Sequence, residues 1–339
     1  MAWSPPSLVA GPVGALPHPR GQTEIWSARL TRTTGIGLVM AKALMTNGAK
    51  RVYILGRRQE ILDVAARETQ GLVPVQCDVT SKASLQAAVD KITADTGYIN
   101  LLVANSGLIG TRNTWGQGKS IQDIRRAMFT EHSMEDFTEA FNVNVTGAFF
   151  TIGAFLELLD AGNHKALQGD GYGGLVEPGI AVPAIQSQVV VTSSISAFIR
   201  GPTTPPSYGG SKAAILHLAK QASSQLAPHG IRVNVLAPGC KLRLFPDSVM
   251  PDDFRLHCER TNRVTPQVFP SELAAGLIGG RAPAEEAPTD PRFIPARRFG
   301  GDQEMAGMIL YLASRAGSYC DGLVLVADGG RLSVMTASY

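Results

Sequence analysis

Cysteine is scarce in this 339-residue chain and scattered where it occurs, at Cys77, Cys240, Cys258 and Cys320. With no C-x-x-C and no pairing pattern, the four read as reduced thiols of an intracellular, cytoplasmic protein rather than as zinc ligands or a disulfide frame. The six histidines show no H-x-x-x-H spacing, so no metal site is expected. Charge of one sign is lacking too: 31 Lys and Arg against 28 Asp and Glu leave a formal net charge of +3, with no basic block. Nucleic acid is therefore not an expected partner. Nor is a membrane. The most apolar stretch, 145–159, is short for a span and contains Thr146, Gly147, Thr151, Gly153 and Glu157. The first twenty residues lack the basic start and clean apolar centre of a signal peptide, and five prolines break any helix there. Residues 1–23 are expected to form a disordered or atypical tail.

What the chain has in quantity is alternation. Its 44% hydrophobic residues suffice for one large α/β domain or two smaller ones, and a single domain over 24–339 is the expectation. Gly35-Ile36-Gly37 opens a helical stretch to Asn47, followed by strands at 51–55 and 72–77 with helices at 59–69 and 81–96. Further strands are read at 99–103, 188–192, 231–236 and 323–326, with helices at 137–159 and 207–226. Short apolar runs separated by amphipathic helices predict a parallel, doubly wound sheet covered on both faces. Such a sheet binds ligands beyond the carboxyl ends of its strands.

The densest chemistry lies in Tyr208-Gly209-Gly210-Ser211-Lys212, after a strand that ends in Ser193-Ser194. Four residues apart on a helix, Tyr208 and Lys212 share a face. A free phenol has a pKa of about 10, and a nearby ammonium favours the phenolate, which suits Tyr208 to proton transfer at a carbonyl or alcohol. Gly209 and Gly210 leave room for close approach of backbone or ligand. Gly35, Ile36 and Gly37 lie at the first strand-to-helix turn, where a pyrophosphate can meet backbone N–H groups and the helix dipole. An Asp or Glu at the end of the second strand would hold the adenosine ribose of NAD. Here Gly56 is followed by Arg57 and Arg58, which suit the 2′-phosphate of NADP(H) instead.

Taken in order, Gly35-Ile36-Gly37, Asp78-Val79, Asn105-Ser106-Gly107, Asn144-Val145-Thr146-Gly147, Ser194, Tyr208 with Lys212, Pro238-Gly239 and Asp328-Gly329-Gly330 resemble the short-chain dehydrogenase/reductase family. The likeness spans roughly residues 30–331 and is nearest to fungal members and 3-oxoacyl-carrier-protein reductases. It implies a seven-stranded Rossmann-type sheet and hydride transfer between NADP(H) and a carbonyl or secondary alcohol of a small or acyl-chain substrate. It also implies assembly as a homodimer or homotetramer through the asparagine and tyrosine helices. Carried over by position, Tyr208 would be the general acid and Lys212 would hold the nicotinamide ribose. Ser194 would bond the substrate oxygen, with Ser193 its competitor for that role, and Asn144 would hold a water in the proton relay. Asp78 and Val79 would flank the adenine, Asn105 and Gly107 would line the cleft, and Pro238 and Gly239 would border the nicotinamide.

Two departures from the family pattern stand out. The first glycine of the family's T-G-x-x-x-G-x-G is Thr31 here, and the segment before it, Glu24-Ile25-Trp26-Ser27-Ala28-Arg29-Leu30, is poor in the apolar run of a buried strand. An altered start of the reading frame over residues 1–31, or true divergence that weakens cofactor binding, would each account for this. After Pro238-Gly239 the family often has a threonine near the nicotinamide carboxamide, whereas Cys240-Lys241-Leu242 follows here and Ser248 is the nearest hydroxyl. Residues 240–297, rich in Pro and Gly, are expected to cover the substrate. Insertions at 108–136 and 160–187 either shape the entrance or are plain surface loops. An enzyme is favoured by the intact Asn144, Ser194, Tyr208 and Lys212. An inactive or cofactor-holding scaffold is favoured by Thr31.

Overall fold

The computed structural model describes residues 35–110, 120–169, 172–201, 204–239, 281–290 and 292–338, together with the backbone of 23–28. The expected tail, the Thr31 turn and the 240–280 portion of the expected cover lie outside the described residues.

Seven named strands make up the sheet: β1 (Thr23–Ala28), β2 (Ala49–Gly56), β3 (Leu72–Gln76), β4 (Leu101–Ala104), β5 (Gln188–Thr192), β6 (Arg232–Pro238) and β7 (Val324–Ala327). They lie in the order β3-β2-β1-β4-β5-β6-β7, and every pairing is parallel. The order reverses direction between β1 and β4, which is the switch point where doubly wound sheets place their ligands. Although its sequence is poor in apolar residues, β1 pairs with β2 from Glu24↔Arg51 to Ala28↔Leu55 and with β4 from Ile25↔Leu101 to Ser27↔Val103.

Two-residue periodicity sorts the strand side chains into two cores. Leu102, Ala104, Val189 and Val191 join one cluster, into which α3 (Lys82–Asp95) sends Leu85 and Ile92. Leu101, Val103 and Val190 face the other, beneath Leu38, Met40 and Leu44 of α1 (Ile36–Thr46) and Leu62 of α2 (Gln59–Glu68). Side-chain caps begin several helices. Ser81 accepts from the Ser84 N–H at the start of α3, and Ser120 with Asp123 forms a capping box on the short α4 (Ile121–Arg125).

The single helix expected over 137–159 is broken twice. α5 (Met134–Phe141) runs into a wide π-turn at Asn142–Gly147, continues as α6 (Ala148–Ala154), and bends at Phe155 (φ −101°, ψ 5°) into α7 (Leu156–Leu167). The wide turn spaces its residues differently from an α-turn and carries Asn144 inward. No single helix among the described residues is long and apolar enough to cross a membrane. The helices Met134–Ala154 and Leu156–Leu167, bent by 44°, are together long and apolar enough, but Ile152, Leu158 and Leu159, with Phe155 at the bend, are packed in the sheet's core.

Of the two insertions, the start of 108–136 sits at the carboxyl edge: a Cβ on Gly110 would stand 2.9 Å from Ala140 Cβ and 3.0 Å from Ser207 Oγ. The described part of the other packs at the opposite edge. There Tyr172 donates to the Ala313 carbonyl and the Arg315 guanidinium to the Gly173 carbonyl, ahead of the first residue of β5. Among the described residues, the first insertion is thus the one that lies at the end of the sheet where ligands bind.

Close packing of α7 makes a stability test. A Cβ on the buried Gly162 would collide with the Ile99 carbonyl oxygen and lie 2.8 Å from Ser187 Oγ. Gly162→Ala should destabilise the fold by about 1–3 kcal/mol, the usual cost of overpacking, despite the better helix propensity of alanine. Urea unfolding midpoints check this, and an unshifted midpoint would contradict the packing.

Candidate active site

Asn144 is 1% exposed, and its amide is fully engaged. Leu108 N–H donates to its Oδ1 at 2.8 Å, while its Nδ2 donates to the Leu108 carbonyl at 2.9 Å and to Ser211 Oγ at 2.8 Å. One side chain thereby joins the loop after β4 to α8 (Pro206–Leu226), the tyrosine helix. Ser211 passes the chain of bonds on, donating to the Tyr208 carbonyl at 2.9 Å.

Lys212 is 3% exposed and sends its ammonium to the Thr192 carbonyl at 2.8 Å. Burial pushes its pKa down from 10.5 to about 8. The Nζ lies 5.9 Å from the centre of the Tyr208 ring. A Cβ on Gly107 would stand 3.1 Å from Asn144 Oδ1 and 3.2 Å from Lys212 Nζ, so only glycine leaves that space.

The two serines at the end of β5 have separate roles. Ser193 donates to the Lys212 carbonyl at 2.8 Å and so ties the strand to the helix. Ser194 Oγ accepts from Ser196 N–H at 3.1 Å, capping the 3-10 turn Ile195–Ala197 and keeping its own hydrogen for another acceptor. The glycines after Tyr208 serve backbone approach. A Cβ on Gly209 would fall 3.2 Å from the Ser196 carbonyl and 2.9 Å from Thr204 Cγ2, and one on Gly210 would fall 3.2 Å from Phe141 Cζ. Tyr208 is thus held between the turn after Ser194 and α5.

Sequence reasoning missed Ser211 and the Thr192 carbonyl as supports of this cluster. Ser211 lies between the two singled-out residues of its own motif, but a backbone carbonyl carries no residue signature.

The expected cofactor residues line the carboxyl ends of the strands. Gly35 is the N-cap of α1, in extended backbone (φ 170°), with no side-chain cap and open space where a Cβ would stand. Arg57 and Arg58 are exposed just beyond β2, and neither guanidinium has an ion-pair partner among the described residues. The Asp78 carboxylate accepts from Thr80 N–H at 3.0 Å and from the Thr80 hydroxyl at 2.7 Å. Val79 is 5% exposed and packs on Gly147 of the π-turn. Gly239 N–H, after Pro238, donates to the Ala327 carbonyl at 2.8 Å, and a Cβ there would strike Asp328 at 2.7 Å.

The family model for short chain dehydrogenase matches residues 31–167 and 181–242, more than half of the chain. The short-chain dehydrogenase/reductase SAT3 of Stachybotrys chartarum is 52% identical over 301 residues, covering 88% of this chain and 100% of that protein. The chain is a short-chain dehydrogenase/reductase. VdtF of Byssochlamys spectabilis, named for the same family, is 42% identical over 316 residues, covering 90% and 92% of the two chains. Among solved structures, a short-chain dehydrogenase/reductase from Mycobacterium marinum superposes with a TM-score of 0.65 at 28% identity, over 92% of this chain and 96% of that one. L-sorbose reductase from Gluconobacter frateurii, solved with NADPH and L-sorbose, shares the fold (TM-score 0.64, 20% identity, 94% and 99% covered).

As a short-chain dehydrogenase/reductase, the protein is an oxidoreductase of nicotinamide-dependent hydride transfer acting on a small-molecule substrate, and the scaffold reading is not favoured. Its residues fit a dinucleotide. Asn105 Oδ1, Ser106 Oγ and Thr192 Oγ1 are buried polar atoms with no partner among the described residues, all at the ends of β4 and β5. The uncapped start of α1 lies at the same carboxyl ends of the strands.

The depressed pKa of Lys212 has a stability consequence. Between about 8 and 10.5 the unfolded chain holds a proton on this lysine that the folded chain has released. Its burial therefore penalises the fold below pH about 8, and the penalty fades as pH rises toward 10.5. Without cofactor, the stability difference between wild type and Lys212→Met should shift in favour of wild type across that window. A difference independent of pH would contradict the assignment.

Proposed function

We propose that this short-chain dehydrogenase/reductase uses NADP(H) to interconvert a carbonyl and a secondary alcohol on a small or acyl-chain substrate, with Tyr208 as the general acid and base. The observation that carries the reading is the buried cluster of Lys212, Asn144 and Gly107 beside Tyr208. Bound cofactor would supply the hydride. The protein's own part is position and proton traffic.

In reduction, the Ser194 hydroxyl would donate to the substrate carbonyl oxygen and hold it for Tyr208, which gives up its phenolic proton to that oxygen as negative charge develops. Lys212, a cation in a dry setting, would favour the phenolate left behind and hold the ribose next to the nicotinamide. Asn144 would keep the relay in place, since its bonds to Leu108 and Ser211 fix the loop after β4 against the tyrosine helix. Gly35, Ile36 and Gly37 would face the pyrophosphate, Asp78 and Val79 the adenine, Asn105 and Gly107 the cleft, and Pro238 and Gly239 the nicotinamide. The 2′-phosphate assignment rests on the exposed Arg57 and Arg58, where a carboxylate would repel it.

The reading includes a seven-stranded Rossmann-type sheet in one domain over 24–339, with 240–297 covering the substrate. It also includes a homodimer or homotetramer through α6 and α8, for which Phe149, 54% exposed on α6, offers apolar surface. A cytoplasmic setting is supported by the free thiols of Cys77 and Cys320.

Tyr208→Phe should retain NADPH binding, followed by nicotinamide fluorescence, yet lose about 100-fold or more in turnover of a reactive dicarbonyl such as 9,10-phenanthrenequinone. Unchanged turnover would remove Tyr208 from the mechanism. Arg57→Asp should weaken NADPH about tenfold, ~1.4 kcal/mol, while leaving NADH nearly untouched. Equal losses for both cofactors would discard the 2′-phosphate contact.

A further inference from the structure

The chain after β7 does not leave the sheet at its edge. The Asp328 carboxylate accepts from Gly330 N–H at 2.9 Å and from Leu332 N–H at 2.8 Å, and Gly329 and Gly330 take positive φ (66° and 85°). Together they form a turn that sends the backbone back over the sheet. The segment then meets the loop that follows Ser194. Arg200 N–H donates to the Thr336 carbonyl at 2.9 Å, Ser338 N–H to the Phe198 carbonyl at 2.8 Å, and Ile199 and Ala337 form an antiparallel bridge. Ser338 Oγ and the Arg200 guanidinium add bonds at 3.2 and 3.3 Å.

β5 and β7 stand two strand spacings apart, about 10 Å, with β6 between them. To run from the end of β7 to the loop after β5, residues 331–338 must pass beyond the carboxyl end of β6, where Pro238 and Gly239 lie. A closed ring of backbone results: Ser194 and its turn, the pairing of 198–200 with 336–338, the Asp328 turn, and Gly239 pressed against Asp328. Loop 196–204 also touches the first turn of α8 through Gly209. This segment, whose Leu332, Met335 and Ala337 are half-buried, thus pairs with the chain four to six residues after Ser194.

We propose that residues 331–338 form the outer wall of the carbonyl pocket and set the largest substrate group that can reach Ser194. The proposal rests on the reading of Ser194 and Tyr208 as the reacting site, and it is tested without turnover. In a Ser194→Cys chain, N-ethylmaleimide and the much larger N-pyrenylmaleimide report access to that position by peptide mass spectrometry. Ending the chain after Ser333 should raise the rate of pyrenyl labelling relative to ethyl labelling about tenfold, the scale of one removed steric contact. Ser338→Pro, which deletes one amide donor of the pairing, should move the same ratio in the same direction. An unchanged ratio in both variants overturns the wall. So does a rise shared equally by both reagents, because a loosened fold admits both. NADPH titration of the wild-type chain is read separately: lost binding there would refute the NADP(H) reading of the site while leaving the labelling ratio fully interpretable.

Discussion

A lysine taken wholly out of water constrains everything around it. Lys212 carries a cation into the space between β4, β5 and α8, and such a group is tolerated only where acceptors meet it and no other side chain intrudes. The acceptor is the carbonyl of Thr192, the last residue of β5. The clearance comes from Gly107. The register between strand and helix comes from Ser193, whose hydroxyl holds the lysine's own backbone. Asn144 then closes the arrangement from the far side through Leu108 and Ser211. Each of these residues answers a need the ammonium creates, and Tyr208 gains its electrostatic setting as the result.

The legibility of this site in the sequence followed from what each residue does physically. Tyr208 and Lys212 were readable because a helix converts a spacing of four into a shared face. The strands were readable because burial on both faces demands continuous apolar runs, as in 188–192 and 231–236. Where the constraint is not apolar, the pattern failed. β1 is poor in apolar residues, yet it pairs with β2 on one side and β4 on the other, through backbone bonds that carry no residue signature. The helix over 137–159 was read as continuous because a π-turn costs nothing in hydrophobic periodicity that a one-dimensional pattern can register. Ser193 and Ser194 were indistinguishable by spacing, and only the partner of each hydroxyl separates them.

Buried polar groups sit at both ends of the sheet. At the amino edge, Arg232 is deeply buried and donates to the carbonyls of Gly317 at 3.0 Å, Cys320 at 2.8 Å and Gln186 at 3.3 Å. Beside it Asn234 donates to the Cys320 carbonyl at 2.8 Å, and Gln188 to the Leu312 carbonyl at 2.7 Å. These bonds anchor the loop after α9 (Asp302–Ala313), while Arg232 Nε and the nearby Ser187 Oγ are buried with no partner among the described residues.

At the carboxyl edge the same kinds of groups are left partly unmet. An ammonium has three donors, and one hydrogen bond from Lys212 is made among the described residues. The amide oxygen of Asn105 and the hydroxyls of Ser106 and Thr192 are buried with no partner there. Unsatisfied buried polar atoms cost roughly 1–3 kcal/mol each, so a fold retains several together only where something else supplies their partners. A ligand that brings hydroxyls and phosphates to this edge recovers that cost as binding energy. The free energy withheld from folding at the carboxyl end of the sheet is thus available for recognition, while the bonds donated by Arg232, Asn234 and Gln188 brace the other end.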